Sequence, residues 1–442
     1  MKINFGIKSA SRGVNLPENK HHTETPIEQL PLPEKVIIPL QQHIGAPCTA
    51  TVKRGDKVLV GQVIGNSEGF VSAPIHATVS GEVTGTTTII NPPTSRLVTA
   101  LVITSDGKDE WVKLEATKDP EKLSVKDILG KIRAAGTVGM GGATFPTHVK
   151  LSPPEGKKID TLILNGCECE PYITSDHRVM LEYGEKVLSG LNIIKKILSP
   201  DNVYIAIEDN KADAIEYMAK LVANLNLEDN FEVVTLKSKY PMGAEKTLIK
   251  NLLGKEVPIG GLPMDVGVVV QNVSTAVAIH DAIYEGKPLV ERVTTVTGAV
   301  NSPKNLLVRI GTPISDLIKY CGSTLGSAGE IILGGPMMGI SQPDVNFPVT
   351  KGTSCILVKE SFHINEQDCI SCGKCLEVCP MHLMPTTIAR YAKAGHYDDC
   401  KDIYIDDCFE CGACAYTCPA NIPIVQYVKM AKSELIKRRA NQ

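Results

Sequence analysis

Two stretches near the C-terminal end, CISCGKCLEVCP at 369–380 and CFECGACAYTCP at 408–419, repeat one cysteine spacing. In each, three cysteines are separated by two residues, the fourth follows after three more, and a proline comes next. In such a loop, the first three cysteines bind one iron–sulfur cluster and the fourth binds the other cluster. The spacing therefore predicts two [4Fe–4S] clusters, one held by Cys369, Cys372, Cys375 and Cys418 and the other by Cys408, Cys411, Cys414 and Cys379.

Zinc is the alternative ligand of these cysteine runs. Zinc motifs pair cysteines two by two, whereas here they stand three plus one, so the iron–sulfur interpretation is favoured. The segment between the runs, including IARYAKAGHYDDC at 388–400, has helical character. We therefore expect residues 359–442 to form an α-helical two-cluster ferredoxin domain, in which Cys400 is not a ligand.

The composition is that of an ordinary globular protein of several domains. The chain has 442 residues, of which 43% are hydrophobic and 21% charged, and its net charge is −3. This balance provides no basic surface for nucleic acid or anionic lipid. Because eight of the 14 cysteines lie in the two runs, a disulfide framework is disfavoured. The chain also lacks an apolar run of about eighteen residues, so we expect no transmembrane segment.

The first part of the chain is predicted to be an arm followed by a β domain. Residues 1–33 are polar and proline-punctuated, which predicts an N-terminal arm. Over 34–117, short β segments alternate with glycines, and KRGDKVLVGQVI and APIHATVSGEV resemble the paired hairpins of a barrel-sandwich hybrid domain. Such domains carry a cofactor on a lysine at the hairpin tip. The tip NSEGFVSAP has no lysine, so we expect no lipoylation.

The middle of the chain alternates strands and helices. The apolar runs DTLILN, VYIAIE, FEVVTL and DVGVVVQN are typical of strands covered on both faces. They predict a Rossmann-like α/β domain with a mainly parallel sheet over 118–287. Residues 288–358 return to short strands with one helix and resemble a β-grasp module. The predicted fold class is therefore multidomain, α/β and α+β.

A glycine-rich turn and an acidic strand end are the candidate ligand site of the α/β domain. By itself a turn such as GMGGATFP at 139–146 often only connects elements, and an acidic loop such as CECEP at 167–171 is often only solvated. The turn also follows a helical segment, so the dinucleotide fingerprint does not apply. Ligands of open α/β sheets nevertheless bind beyond the carboxyl ends of strands. There, unpaired main-chain amides can bind a phosphate, and Lys150 can neutralise its charge. The carboxylates of Glu168 and Glu170 can accept hydrogen bonds from ribose hydroxyls.

Four segments carry a resemblance to a known family. GMGGATFPTHVKL, NGCECEPYITSDHR, YPMGAEKTLI and VVVQNVSTA resemble, in order and spacing, the flavin-binding motifs of the complex I flavoprotein subunit. With the arm, the barrel-sandwich hairpins and the cysteine runs, nearly the whole chain resembles the RnfC family of peripheral Rnf complex subunits. It departs from the complex I pattern at Cys167, Leu151 and Ala244, where complex I has an acidic residue, an aromatic residue and a second glutamate.

The resemblance implies sites for FMN and for NAD(H). Glu168 and Glu170 would be the catalytic carboxylates. The nucleotide would face Phe145, Glu170, Glu245 and Lys255. FMN would be held by Gly139, Gly141, Gly142, Lys150, Asn165, Tyr240, Gly243, Gln271, Asn272 and Thr275.

The implied activity is that of a ferredoxin:NAD+ oxidoreductase. Electrons would pass between two [4Fe–4S] clusters, FMN and NAD(H), coupled to ion translocation by partner subunits. Those partners would be membrane-integral and ferredoxin-binding iron–sulfur subunits, with this chain peripheral on the cytoplasmic side of the cell membrane. Two alternatives stay open: a soluble corrin (cobalamin) reductase of the propanediol-microcompartment type, and a non-catalytic scaffold whose clusters relay electrons.

Overall fold

A computed structural model of the protein describes residues 4–8, 12–20, 25–91, 96–227, 231–326, 328–360 and 365–440. The polar N-terminal segment contributes two short strands, β1 (Asn4–Lys8) and β2 (Ile27–Gln29). Both strands join sheets built mainly by later parts of the chain. Within the described ranges, no helix is long and apolar enough to cross a membrane.

Two small sheets form the β domain that follows. One has the order β3-β9-β8-β5 and the other β4-β6-β7, and every pairing is antiparallel. Ile38, Ile64 and Ile103 are fully buried between the sheets, as expected for a barrel-sandwich core. The strands are β3 (Lys35–Pro39), β4 (Thr49–Ala50), β5 (Lys57–Val58), β6 (Val63–Asn66), β7 (Ile75–His76), β8 (Gly81–Asn91) and β9 (Arg96–Ser105).

The α/β domain contains a five-stranded parallel sheet. Its order is β1-β12-β11-β10-β13, and its central strands are buried on both faces because helices cover them. Its elements are α1 (Val125–Ala134), α2 (Thr147–Lys150), β10 (Thr161–Gly166), α3 (Ser175–Glu182), α4 (Gly184–Leu198), β11 (Asn202–Glu208), α5 (Ala212–Asn224), β12 (Glu232–Leu236), α6 (Glu245–Leu253), β13 (Val268–Asn272) and α7 (Val273–His280).

Short helical turns complete this domain. They are 3-10 turns at Pro120–Lys122 and Pro263–Val266 and a π turn at Asp281–Glu285. Val187, Leu191 and Ile194 form the buried face of α4, which packs against α7. This is the apolar stripe that a helical period of 3.6 residues predicts.

A six-stranded mixed sheet follows, with the order β17-β16-β18-β14-β15-β2. The arm strand β2 pairs in parallel with β15, and Glu28 accepts a hydrogen bond of 2.6 Å from Lys304 beside this pairing. The arm is therefore part of the β-grasp sheet. The elements are β14 (Glu291–Gly298), β15 (Lys304–Arg309), α8 (Ile314–Tyr320), β16 (Ala328–Leu333), β17 (Ile340–Gln342) and β18 (Cys355–Glu360).

The last part is helical, as the sequence predicts. Ile388, Val428 and Leu435 are buried between its helices and form a core of their own. The helices are α9 (Lys374–Val378), α10 (Pro385–Lys393), α11 (Tyr397–Asp402), α12 (Ala413–Tyr416) and α13 (Ile424–Ala440), with a 3-10 turn at Ile405–Asp407.

Candidate functional site

The crevice of the α/β domain lies at the carboxyl ends of β10 and β13. The chain adds β11 and β12 on one side of β10 and then returns to place β13 on the other side. Loops leaving neighbouring strands in opposite directions open a crevice at such a reversal. Asn165 and Asn272, which the sequence assigns to flavin binding, are register partners at these two strand ends.

The glycine loop lies beside Asn272, on the β13 side of this crevice. It is closed by a hydrogen bond of 2.9 Å from the Gly139 amide to the Phe145 carbonyl. The Met140 amide donates to Thr275 Oγ1 at 2.9 Å, which fixes the loop on the start of α7. Gly142 has φ +113°, and a Cβ there would meet nothing within 4 Å. The loop thus presents bare main chain to open space.

Asn272 is held by both ends of its side-chain amide. Its Oδ1 accepts from the Ser274 amide at 2.9 Å and caps α7, while its Nδ2 donates to Asp176 at 2.6 Å. Asp176 also accepts from Ser274 Oγ at 2.7 Å. Burial, and then the charge of Glu168, raises the pKa of Asp176 to about 6. Asp176 lies inside the TSDHR stretch of one flavin motif, but the sequence prediction omits it.

The segment around Gly243 closes the crevice on the β10 side. Asn165 Nδ2 donates to the Gly243 carbonyl at 2.9 Å. A Cβ on Gly243 would lie 2.1 Å from the Cys167 carbonyl, so only glycine allows this approach. Glu245 begins α6 and forms an ion pair with Lys150 at 2.6 Å, with both side chains partly exposed. The glycine loop and the segments around Asn165, Gly243 and Asn272 therefore converge.

Two predicted acidic residues, Glu168 and Glu170, accept hydrogen bonds from main-chain amides of the protein. Glu168 is buried and accepts from the Asp176 amide at 2.8 Å and from Ser175 Oγ at 3.1 Å, so it caps the start of α3. This capping role differs from the nucleotide contact that the sequence predicts for Glu168, and carboxylates favour helix N-termini. The oxygens of Glu170 accept from the Met337 and Met338 amides. Burial raises the pKa of Glu170 to about 7.

Lys255 is placed elsewhere than expected. Its ammonium donates to Asp160 at 2.9 Å and to the Val266 carbonyl at 2.9 Å. Asp160 immediately precedes β10, so Lys255 lies at the amino end of the strand. The crevice is at the other end, so the structure does not bring Lys255 together with the other residues that are expected to face the nucleotide.

A lysine from the N-terminal arm supports the acidic loop. The Lys20 ammonium donates to the Glu168 carbonyl at 2.7 Å and to the Ile173 carbonyl at 2.6 Å. It lies 4.0 Å from the Glu168 carboxylate, and both side chains are buried. No spacing in the sequence signals this contact, because 148 positions separate the two residues.

Three cysteines of the second run line a small cavity. Cys408, Cys411 and Cys414 line it together with Cys379, the fourth cysteine of the first run. Burial first, and then the neighbouring thiols of Cys408 and Cys379, raise the pKa of Cys411 to about 12. Such thiols become thiolates when a cation displaces their protons.

The first run has the complementary set but different surroundings. Burial, and also the adjacent thiols of Cys372 and Cys418, raise the pKa of Cys375. Cys369 and Cys372 are exposed, whereas Cys411 is buried. Tyr240 of the α/β domain donates a hydrogen bond of 2.7 Å from its phenol to the Cys411 carbonyl. The second run thus contacts the crevice domain directly through Cys411.

Four family models match consecutive parts of the chain. The RnfC barrel sandwich hybrid domain matches residues 8–108, and the Nuo51 FMN-binding domain matches 132–281. The SLBB domain matches 293–341, and a 4Fe-4S dicluster domain matches 368–422. These matches confirm the predicted fold class.

Relatives match over nearly the full chain. A subunit of the proton-translocating ferredoxin:NAD(+) oxidoreductase complex of Clostridium ljungdahlii is 50% identical, covering 97% of this chain and 94% of the relative. Its counterpart in the Na(+)-translocating complex of Acetobacterium woodii is 45% identical, covering 97% of each chain. The chain belongs to the RnfC family. The corresponding subunit of the ion-translocating oxidoreductase complex of Pseudomonas aeruginosa is 43% identical, over 97% of this chain and 56% of the relative.

Membership of the RnfC family does not favour the corrin reductase or the scaffold. The residues also fit the cofactors that the family implies. The buried Gln271 amide nitrogen at the end of β13 has no hydrogen-bond partner among the described residues, so a donor is left for a ligand. The open main chain at Gly142 suits a phosphate cradle. The enclosed thiols of the second run suit an iron–sulfur cluster.

The buried Lys20 leads to a stability prediction. Lys20→Met should leave the Glu168 carboxylate buried without its cation and lower the free energy of unfolding by about 3 to 5 kcal/mol. Lys122→Met is the matched control, because Lys122 pairs with Asp119 on the surface with 81% of its side chain exposed. Thermal unfolding of both variants tests this. Equal melting temperatures for the two variants would contradict the role given to Lys20.

Proposed function

We propose that this chain is the NAD(H)-oxidising and NAD+-reducing subunit of an Rnf-type ferredoxin:NAD+ oxidoreductase. One observation carries the proposal: Tyr240, at the turn that closes the crevice, donates its phenol hydrogen bond to the Cys411 carbonyl at 2.7 Å. The crevice of the α/β domain and the second cysteine run are thus in direct contact. The names of the relatives assign the same reaction to proteins of this family.

A flavin accepts two electrons with a hydride and passes them on singly, which is the chemistry that must stand between a nicotinamide and an iron–sulfur cluster. The protein binds and orients the group. In this proposal the glycine loop (Gly139, Gly141 and Gly142) and the ammonium of Lys150 hold the phosphate side. The Gly139 amide closes the loop, and the amides of Gly141 and Gly142 are directed at the phosphate. The remaining flavin contacts come from Asn165, Tyr240, Gly243, Gln271, Asn272 and Thr275.

The nucleotide enters at the partly exposed mouth of the crevice. Phe145 is half-buried there and offers a ring for stacking. Glu245 offers its carboxylate to a ribose hydroxyl, and its ion pair with Lys150 places it beside the phosphate side. Asp176 does not touch a ligand in this arrangement. It holds Asn272 in one orientation through the 2.6 Å hydrogen bond.

The two cysteine runs have different tasks in the proposal. The second run lies against the crevice domain. We therefore assign its cluster as the inner electron carrier. The first run is exposed at Cys369 and Cys372, and Ile370 between them is 68% exposed. An exposed cluster loop with an apolar side chain suits the surface of a second iron–sulfur protein. We assign the first run to electron exchange with a partner subunit.

The partners in this proposal are membrane-integral subunits and a ferredoxin-binding iron–sulfur subunit. The relatives are named as parts of ion-translocating complexes, and translocating an ion requires subunits that span the membrane. Because NAD(H) is a cytoplasmic substrate, this chain would be peripheral on the cytoplasmic side of the cell membrane.

The decisive experiment is a titration of the anaerobically purified protein with NADH. Reduction of the flavin absorbance and appearance of two cluster signals by electron paramagnetic resonance (EPR) are expected at micromolar to millimolar NADH. NADPH should be about tenfold less effective, since the Glu245 carboxylate repels a 2′-phosphate. Glu245→Gln should reduce this preference, whereas Glu216→Gln, on the exposed face of α5, should not. A protein that NADH fails to reduce would refute the proposed function.

Iron content tests the assignment of the fourth cysteines. The wild-type chain should contain about eight irons, and Cys379→Ala should remove the EPR signal of the inner cluster while leaving the outer one. Cys400→Ala is the matched control, because Cys400 is a buried thiol of the same domain outside both runs. Zinc in place of iron, or loss of the outer signal alone in Cys379→Ala, would contradict the assignment.

Flavin retention tests the glycine cradle. Gly142→Val should abolish retention of FMN without changing iron content, because a β-branched side chain at φ +113° would be strained and would fill the cradle. Gly156→Val is matched, since Gly156 has φ +83° and open space around it but lies in the loop before β10. Fluorescence of acid-released flavin is the measurement. Full flavin content in Gly142→Val would place the cradle elsewhere.

A further inference from the structure

Tyr240 makes its hydrogen bond toward the second cysteine run. The side chain is 3% exposed, and its phenol donates to the Cys411 carbonyl at 2.7 Å. The resemblance to complex I assigns Tyr240 to the flavin. In this structure its hydroxyl contacts the main chain of a predicted cluster ligand, which is a separate role from the flavin contact proposed above.

Glu170 likewise forms its hydrogen bonds with a neighbouring domain. Its Oε1 accepts from the Met338 amide at 2.8 Å and its Oε2 from the Met337 amide at 3.1 Å. These amides belong to the turn between β16 and β17 of the β-grasp sheet. A Cβ on Gly335 in this turn would lie 2.2 Å from Glu170 Oε2, so the carboxylate sits directly on the turn.

The same turn presses on the cysteine loop that Tyr240 contacts. Gly412, with φ +78°, lies under the Met337 carbonyl, and a Cβ on Gly412 would come within 2.8 Å of that oxygen. Tyr240, Cys411 and Met337 also belong to one apolar cluster. Glu170 therefore reaches the Cys411–Gly412 peptide through the turn, and Tyr240 reaches it directly.

We propose that Tyr240 and Glu170 are positioning residues for the cluster of the second cysteine run. This inference rests on the proposed presence of that cluster and adds the groups that set its reduction potential. The reduction potential of such a cluster depends on the hydrogen bonds around it and on its exposure to solvent. The phenol directs the positive end of its O–H dipole at the loop and so favours the reduced cluster. Glu170 holds the Met337 turn against the loop.

The test is an EPR redox titration of the full chain carrying its clusters. In Tyr240→Phe, one of the two cluster signals should move to a more negative potential, and it should be the signal that Cys379→Ala removes. The other signal should stay in place. Tyr204→Phe, in β11 of the α/β domain, is the control and should move neither signal.

Glu170→Gln provides a second arm, since glutamine retains only one acceptor oxygen for the two amides. It should perturb the same signal and slow its reduction by NADH, while the KM for NADH changes less than about twofold. A KM increase of about tenfold would show nucleotide binding by Glu170 and overturn its assigned role. Unmoved potentials in Tyr240→Phe with both clusters present would overturn the role of Tyr240. A wild-type chain without cluster signals would instead refute the proposed function.

Discussion

The parallel pairing of β13 with β10 is the constraint on which the site depends. Each strand is buried on both faces, so their main-chain groups must pair with neighbouring strands, and residues such as Ile163 and Val269 fill the core. Pairing Leu164 with Gln271 and Asn165 with Asn272 brings two distant loops together at one edge. A shift of the register by one residue would turn the side chains of Gln271 and Asn272 each to the other face of the sheet. It would thereby separate Asn272 from Asn165.

Contacts between domains then hold this edge in place. The arm strand β1 extends the α/β sheet and β2 extends the β-grasp sheet, while Val14 between them pairs with Tyr240. Lys20 follows and binds the acidic loop through two carbonyls. The arm therefore crosses the edge of the crevice and belongs to both domains. Such a brace limits the relative motion of the α/β domain and the β-grasp sheet, and so keeps the edge of the crevice in one arrangement.

The sequence predicts features fixed by local spacing, such as two sets of four thiols and the Val- and Ile-rich strands of the parallel sheet. Side-chain direction in irregular loops escapes it. Glu168 and Glu170 stand at alternate positions of one loop, yet one caps α3 and the other reaches the turn at Met337. Lys20 reaches the same loop only after β1 and β2 have joined their sheets, so the assembled fold is needed to find it. For Lys255, proximity in sequence to α6 does not reveal which end of β10 it meets.

The two cysteine runs share one spacing but differ in exposure, which in the proposed function gives them two tasks. Water stabilises added charge at the exposed first run, whereas burial removes that stabilisation at the second. An inner cluster would for this reason be harder to reduce, and electrons arriving from the outer run would face an uphill step. Donors directed at the inner loop offset part of that cost. The buried phenol of Tyr240, with its hydrogen bond to the Cys411 carbonyl, is such a donor. Its position gives a physical reason for a polar group in an otherwise apolar contact.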